Sequence, residues 1–351
     1  MALVRTSQLC SKGRLETYSL SNDSGLQVEI INLGASIRRF LVPDKNGDLR
    51  DIVLGYEQAQ DYFQNTETFF GSTVGRSAGR LAGGRFSLHG KTYQLRQNQG
   101  ENNLHSGPNG YQIRLFQLVP EETSETQLTL SLESPDGDQG YPGNLTFSVS
   151  FELNQTNELT ITYKAISDQD TLFNVTNHSY FNLNGHESGS IEAHSLQLKA
   201  KTFTPLENEA AIPSGEIREV TGSAFDFQEA KPIGRDINAK EQQILYAGGY
   251  DHNWILTEPS LLKPFARAIG DQTGIQLEVF TDLPGVQVYT GNFIDNEKGK
   301  DGTIYGKRAG FCLETQFYPN AVNFPHFPSP IIKANQEVRH KTKYRLSLRE
   351  L

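Results

Sequence analysis

The chain has 351 residues, and 32 Lys and Arg against 41 Asp and Glu give it a formal charge of −9. That balance disfavours a nucleic-acid or anionic-membrane surface, which needs clustered cations, and no apolar run nears the ~18 residues of a membrane span. The opening residues turn charged at Arg5, too early for a secretory signal, and Cys10 and Cys312 stand too far apart in the chain to suggest a disulfide framework, so the expectation is a cytoplasmic globular protein.

With 32 Gly, 15 Pro, 20 Phe and 14 Tyr, the composition suits sheets more than helix bundles. In chain order, Asn46-Gly47 reads as a tight turn, and Tyr56 to Phe63 as a helix of two or three turns. His89-Gly90 is a second turn. Alternation of apolar and polar residues then predicts strands at Leu128 to Leu132 and Leu145 to Leu153. The second of these puts five large apolar side chains on one face and four polar ones on the other. Asn154 to Asn157 reads as a hairpin connection into a further strand, Leu159 to Tyr163. Ile237 to Tyr246 is a second short helix, and strands follow at Ile275 to Val279 and Tyr344 to Leu348. One-sided strands must bury their apolar face against other sheets, so the predicted fold is all-β, with antiparallel sheets stacked as a large sandwich. No repeat and no Gly- or Pro-rich linker divides the chain, which reads as one domain, 1–351.

Cofactor signatures are missing. There is no Gly-x-Gly-x-x-Gly, no phosphate-binding Gly-x-x-x-x-Gly-Lys-Ser/Thr, no His-Glu-x-x-His, no Cys-x-x-Cys and no Gly-x-Ser-x-Gly. His178, His186 and His194 recur at a spacing of eight, which matches no standard ligand geometry. The expectation is therefore no cofactor and no metal.

Six polar clusters interrupt the alternation: Gly75 to Arg80, Asn102 to Gly107, Val175 to Leu183, Gly248 to Trp254, Pro284 to Asn292 and Cys312 to Ala321. Taken singly, each has an ordinary structural reading. A loop histidine such as His105 or His178 is commonly hydrogen-bonded scaffold. Arg76 and Arg80 suit solvated or paired charges, and Asp251 suits a turn cap. Glu314 is different, because it follows Phe311-Cys312-Leu313, and a carboxylate in an apolar run is either paired or kept for its chemistry. The residues by themselves imply a β protein with a polar site for a polar ligand.

Together the clusters resemble the aldose 1-epimerase (galactose mutarotase) family, in the family's order and over nearly the whole chain. The motifs are Gly-Arg-x-x-x-Arg, Asn-x-Leu-His, Thr-Asn-His-x-Tyr-Phe-Asn-Leu, Asp-His-Asn, Gly-Val-Gln-x-Tyr-Thr-Gly-Asn and Leu-Glu-Thr-Gln. The resemblance implies a large antiparallel β-sandwich. It implies Glu314 as catalytic base, His178 as catalytic acid and His105 as a second histidine near the ring oxygen. Asp251, Arg80 and Gln287 are implied as sugar contacts, with Arg80 preferred to Arg76 as the second arginine of its motif. Gly79 stands where many members carry Asn, and Ser106 where the family usually has Gly.

The implied partner is a small free aldohexose, with no nucleic acid and no membrane. Interconverting its anomers means opening the hemiacetal ring, turning about C1–C2 and closing on the other face. That needs one group to take the C1 hydroxyl proton and another to protonate the ring oxygen. A carboxylate with a reference pKa of ~4.3 and an imidazole near ~6.5 can hold opposite protonation states near neutrality. Competing readings are a non-catalytic sugar-binding module, which needs no Glu314 with His178, and a hexose 6-phosphate epimerase, which needs cations converging on phosphate. A glycoside hydrolase would need two working carboxylates, such as Asp251 with Glu314.

Overall fold

A computed structural model gives the structure of residues 2–349. Leu145–Leu153 is a strand with the bounds its alternation predicts, and it pairs antiparallel with Gln127–Ser134 on one side and Glu158–Ser167 on the other. Each of the other strands read from alternation lies inside a longer one, because residues beyond the alternating stretch still pair through their backbones. The reading of Tyr344 to Leu348 captured only part of Val338–Leu348, for example. At His89-Gly90 both residues take positive φ (51° and 77°), as a two-residue hairpin turn between paired Leu88 and Lys91 requires.

The two expected helices are shorter than predicted. The first is a 3-10 turn at Ala59–Gln64, because Gln58 is extended (φ −109°, ψ 144°) and starts the turn there, its N–H donating to Asp61 Oδ2 at 3.0 Å. The second is a single α-helical stretch, Gln242–Ala247, stopped by Gly248 in the left-handed conformation (φ 65°).

Three antiparallel sheets carry the architecture, in keeping with the all-β sandwich predicted from sequence. The first runs Ala2–Cys10, Gly13–Ser21, Gln27–Ile31, Ser36–Pro43 and Leu49–Asp51 in simple sequential order. A nine-stranded sheet places Val338–Leu348 between Glu158–Ser167 and Ile275–Thr281. The third sheet has the order Arg218–Glu219, Thr202–Thr204, Asp251–Ile255, Gly285–Tyr289, Cys312–Gln316. One continuous apolar core joins residues of all three.

The third sheet positions the site. Its odd-facing side chains Phe203, Trp254, Val286, Val288 and Leu313 belong to that core, and the hydroxyls of Thr315 and Thr342 touch across to the nine-stranded sheet. Because side chains alternate, the opposite face presents Thr204, Asp251, Asn253, Gln287, Glu314 and Gln316 together. A row of polar residues on a buried sheet face is costly in a plain sandwich. Here the face forms the floor of a cavity. Among the described residues no helix is long and apolar enough to cross a membrane.

Candidate active site

A cavity of about 270 Å³ sits over the polar face of the third sheet, at the small end of ligand pockets. Arg80, His105, His178, Asp251, Gln287 and Glu314 all line it. They come from six separate stretches of the chain, and each is held by local pairing.

His178 follows the short strand Thr176–Asn177, which pairs with Thr73–Val74. Its N–H donates to the Ser72 carbonyl at 2.9 Å, and its carbonyl accepts from the Gly71 N–H at 3.0 Å. Three residues further on, Phe181 exchanges both backbone hydrogen bonds with Phe311, at 2.7 and 3.0 Å. Phe311 lies three residues before Glu314, so this bridge draws the histidine loop onto the glutamate strand. The result is His178 Nε2 at 3.5 Å from Glu314 Oε1, with both side chains almost fully buried. Cys312 Sγ stands 3.6 Å from Nδ1 on the other side of the ring.

His105 and Arg80 are neighbours through a two-residue ladder of Asn103–Leu104 with Arg80–Leu81. The Gly79 N–H donates to His105 Nδ1 at 3.2 Å, so a neutral His105 carries its proton on Nε2. The Phe69 ring meets the His105 ring edge-on at 4.6 Å, and His105 meets His178 edge-on at 5.3 Å. His105 and Ser106 both adopt left-handed φ (52° and 69°). That accounts for glycine as the family's usual choice at the second position. Ser106 is held by its hydroxyl, which accepts from the Ser77 N–H at 2.7 Å and donates to the Ser77 carbonyl at 3.1 Å.

On the far wall, Gln287 Nε2 donates to Asp251 Oδ1 at 2.8 Å, and Arg80 Nη1 donates to Asp251 Oδ2 at 3.3 Å. Arg80 Nε also donates to Gln99 Oε1 at 2.7 Å. Arg76 is elsewhere. It is fully buried, and its guanidinium donates to the carbonyls of Pro142 and Ser134 at 2.7 and 3.0 Å, a structural role.

Electrostatics in the site are set by burial. Burial pushes the His178 imidazole down to about 4. Burial, then the adjacent His178 and Arg80, holds His105 well below the usual histidine range. Burial pushes the Glu314 carboxyl well up, the Asp251 charge adds to this, and Arg80 opposes it. Burial therefore favours the neutral form of both members of the pair, unlike the opposite charges that reference values allow.

His105, His178 and Glu314 bring donor atoms within 4.8 Å of one another, a ligand set of the type zinc accepts. The evenly spaced His186 and His194 do not join them. His186 meets Tyr305 and Asp301, and His194 Nε2 accepts from the Leu183 N–H. Of the aromatic residues in the polar clusters, Tyr180 lines the cavity, whereas Trp254 points to the core and donates to the Phe225 carbonyl at 3.0 Å. Phe69, Gln99, Thr204, Asn253, Phe293 and Gln316 also line the cavity without having been singled out from sequence. The register of the third sheet would have exposed Asn253 and Gln316, each two residues from a predicted site residue.

The model of the family described as aldose 1-epimerase matches residues 16–345. The galactose mutarotase of Sus scrofa is 41% identical over 337 residues, covering 96% of this chain and 95% of that protein. The human galactose mutarotase is 40% identical over the same length, and the aldose 1-epimerase of Escherichia coli K12 is 34% identical over 93% of each chain. Among solved structures, an aldose epimerase homologue from C. elegans superposes with a TM-score of 0.88 at 28% identity, covering 98% of this chain and 100% of that one. A galactose 1-epimerase from Lactobacillus acidophilus gives 0.86 at 29% identity, covering 99% and 100%. By sequence over nearly its whole length and by fold, the chain belongs to the aldose 1-epimerase family.

Proposed function

We propose that the protein is an aldose 1-epimerase, interconverting the α and β anomers of free hexoses such as galactose and glucose. Relatives named galactose mutarotase and aldose 1-epimerase at 34–41% identity over nearly the whole chain support an enzyme acting at the anomeric carbon. The observation that carries the chemistry is the 3.5 Å approach of His178 Nε2 to Glu314 Oε1, with both side chains buried at the cavity floor.

With cyclic sugar bound, the C1 hydroxyl donates to a Glu314 carboxylate and the ring oxygen accepts from a His178 imidazolium. Each contact favours the charged form it touches. On opening, Glu314 takes the O1 proton as the C1–O5 bond breaks, and His178 gives its Nε2 proton to O5. The products are an open aldehyde, a carboxylic acid and a neutral imidazole. That neutral pair is the state burial favours, so the site lowers the energy of the opened form. Rotation about C1–C2 and the reverse transfers close the ring on the other face. His105, with its proton on Nε2, assists at the ring oxygen. Arg80, Asp251 and Gln287 hold the remaining hydroxyls while C1 turns, and each positioned proton-transfer group is worth about 10²–10⁴ in rate.

Among the described residues lining the cavity, Arg80 is the single Lys or Arg, and it is already bonded to Asp251. This favours a free sugar over a 6-phosphate. The acidic surface of a −9 chain fits a small neutral partner better than nucleic acid or membrane. Both cysteines are free, in keeping with a reducing cytoplasm. Polarimetry on freshly dissolved α-galactose tests the function: the decay to equilibrium should accelerate in proportion to protein. A rate equal to buffer would leave only a binding protein.

A further inference from the structure

Thr204, Asn253, Gln287 and Gln316 form the part of the cavity floor that extends away from the proton-transfer pair. All four are more than nine-tenths buried. Yet Thr204 Oγ1, Gln287 Oε1, and both amide heteroatoms of Asn253 and of Gln316 have no hydrogen-bond partner. Buried polar atoms are normally paired, and six open ones on one cavity wall call for a ligand. Gln287 spends its amide N–H on Asp251, but Asn253 and Gln316 spend nothing.

Gly285 sharpens the point. It pairs directly with Gln316, and a Cβ there would stand 2.6 Å from Asn253 Oδ1 and 2.9 Å from the Tyr318 ring. The missing side chain leaves the room that the Asn253 amide itself occupies, so any side chain there would push that amide out of the cavity floor. Along the strand, Gln316 lies about 7 Å from Glu314, and Asn253, two strands over, lies about 10 Å away. Those spans suit the far side of a monosaccharide whose C1 is at Glu314. Amides offer a donor and an acceptor together, which matches a hydroxyl and gives no particular purchase on a phosphate without further cations.

We propose that Asn253, Gln316 and Thr204 bind the hydroxyls of the aldose remote from the anomeric carbon, and so act as specificity-determining positioning residues for a neutral polyol end. This rests on the function proposed above for the placing of C1.

The test compares wild type with Asn253→Leu, Gln316→Met and the near-isosteric Thr204→Val. Anomer exchange is followed by NMR on glucose and on its 3-, 4- and 6-deoxy analogues. Each variant should raise KM for glucose roughly three- to tenfold, the range of one neutral hydrogen bond, with kcat changed less. The increment should vanish on the analogue that lacks the hydroxyl concerned. Thermal unfolding should stay level or rise, because the replaced atoms have no partner in the free protein. Unchanged KM, or an equal loss on every analogue, overturns the proposal, as does a clear fall in stability in all three variants. A wild type without exchange activity would instead remove the functional reading itself, so the two failures are distinct.

Discussion

His178 Nε2 stands 3.5 Å from Glu314 Oε1, and the backbone bridge between Phe181 and Phe311 sets that separation from three residues away on either side. The gap is longer than a strong hydrogen bond, so the two groups are not locked to each other. A sugar presenting two oxygens on one carbon can lie against both groups and use each.

Replacing the acid tests this arrangement. His178→Asn should lower kcat by about 10²–10⁴ while galactose still binds, because Arg80, Asp251 and Gln287 are untouched. Calorimetric or NMR titration with galactose, run beside polarimetry, separates the two effects. Loss of binding equal to the loss of rate would make His178 a sugar contact only.

Arg80 ties Gln99 to Asp251 and faces the cavity. Arg80→Met should raise KM by roughly 10- to 100-fold, as expected for losing a hydrogen bond to a charged group, with a smaller effect on kcat. Steady-state kinetics over a range of galactose concentrations reads this directly. A change confined to kcat would assign Arg80 to the chemical step.

Several histidines are buried in their neutral form. Burial pushes His252 down to about 3, and His178 and His194 to about 4. In the unfolded chain each titrates near ~6.5, so the unfolded state binds more protons between that value and the folded one. Stability should therefore fall as pH drops from about 6.5 toward 4, by roughly 1 kcal/mol per histidine between pH 6 and 5. Glu314, raised by burial, works in the opposite direction in this window and offsets part of the loss. Urea unfolding at pH 7, 6 and 5 measures the slope. His252 packs among Phe203, Phe225 and Trp254, so His252→Phe should flatten it. An unchanged slope would mean that His252 takes up its proton when folded.

Gly79 lines the cavity at φ 71°, where an added Cβ would press on Pro319 Cβ at 3.0 Å. Asn tolerates this left-handed region better than other side chains. Gly79→Asn should fold with a loss of about 1 kcal/mol in stability and lower KM for galactose by adding a polar contact. Thermal unfolding and KM determination check the two halves. A folded Gly79→Asn protein with unchanged KM would show that position 79 does not reach the sugar.

Alternation made the long strands legible, because one buried face repeats every second residue from Leu145 to Leu153 and in its neighbours. Glu314 stood out for the same reason, as a charge within an apolar run. Its companions were legible only through family motifs, since His105, His178 and Arg80 come from loops whose meeting depends on pairings such as Phe181 with Phe311. Periodicity is blind to such contacts. The neutral preference of the pair was hidden for a related reason: burial is a property of the assembled cavity, and reference pKa values do not contain it. Asn253 and Gln316 end two of the quoted motifs but receive no role from sequence, because an uncharged amide in a strand shows its purpose only when its lack of partners is seen.

The most direct measurement is NMR magnetisation exchange between the α and β anomers of galactose, with wild type and Glu314→Gln at equal concentration. Fast exchange with wild type and a fall of about 10²–10⁴ with Glu314→Gln, galactose binding being retained, is the predicted result. Wild-type exchange rates in Glu314→Gln would contradict the account, because the O1 proton would then have another acceptor.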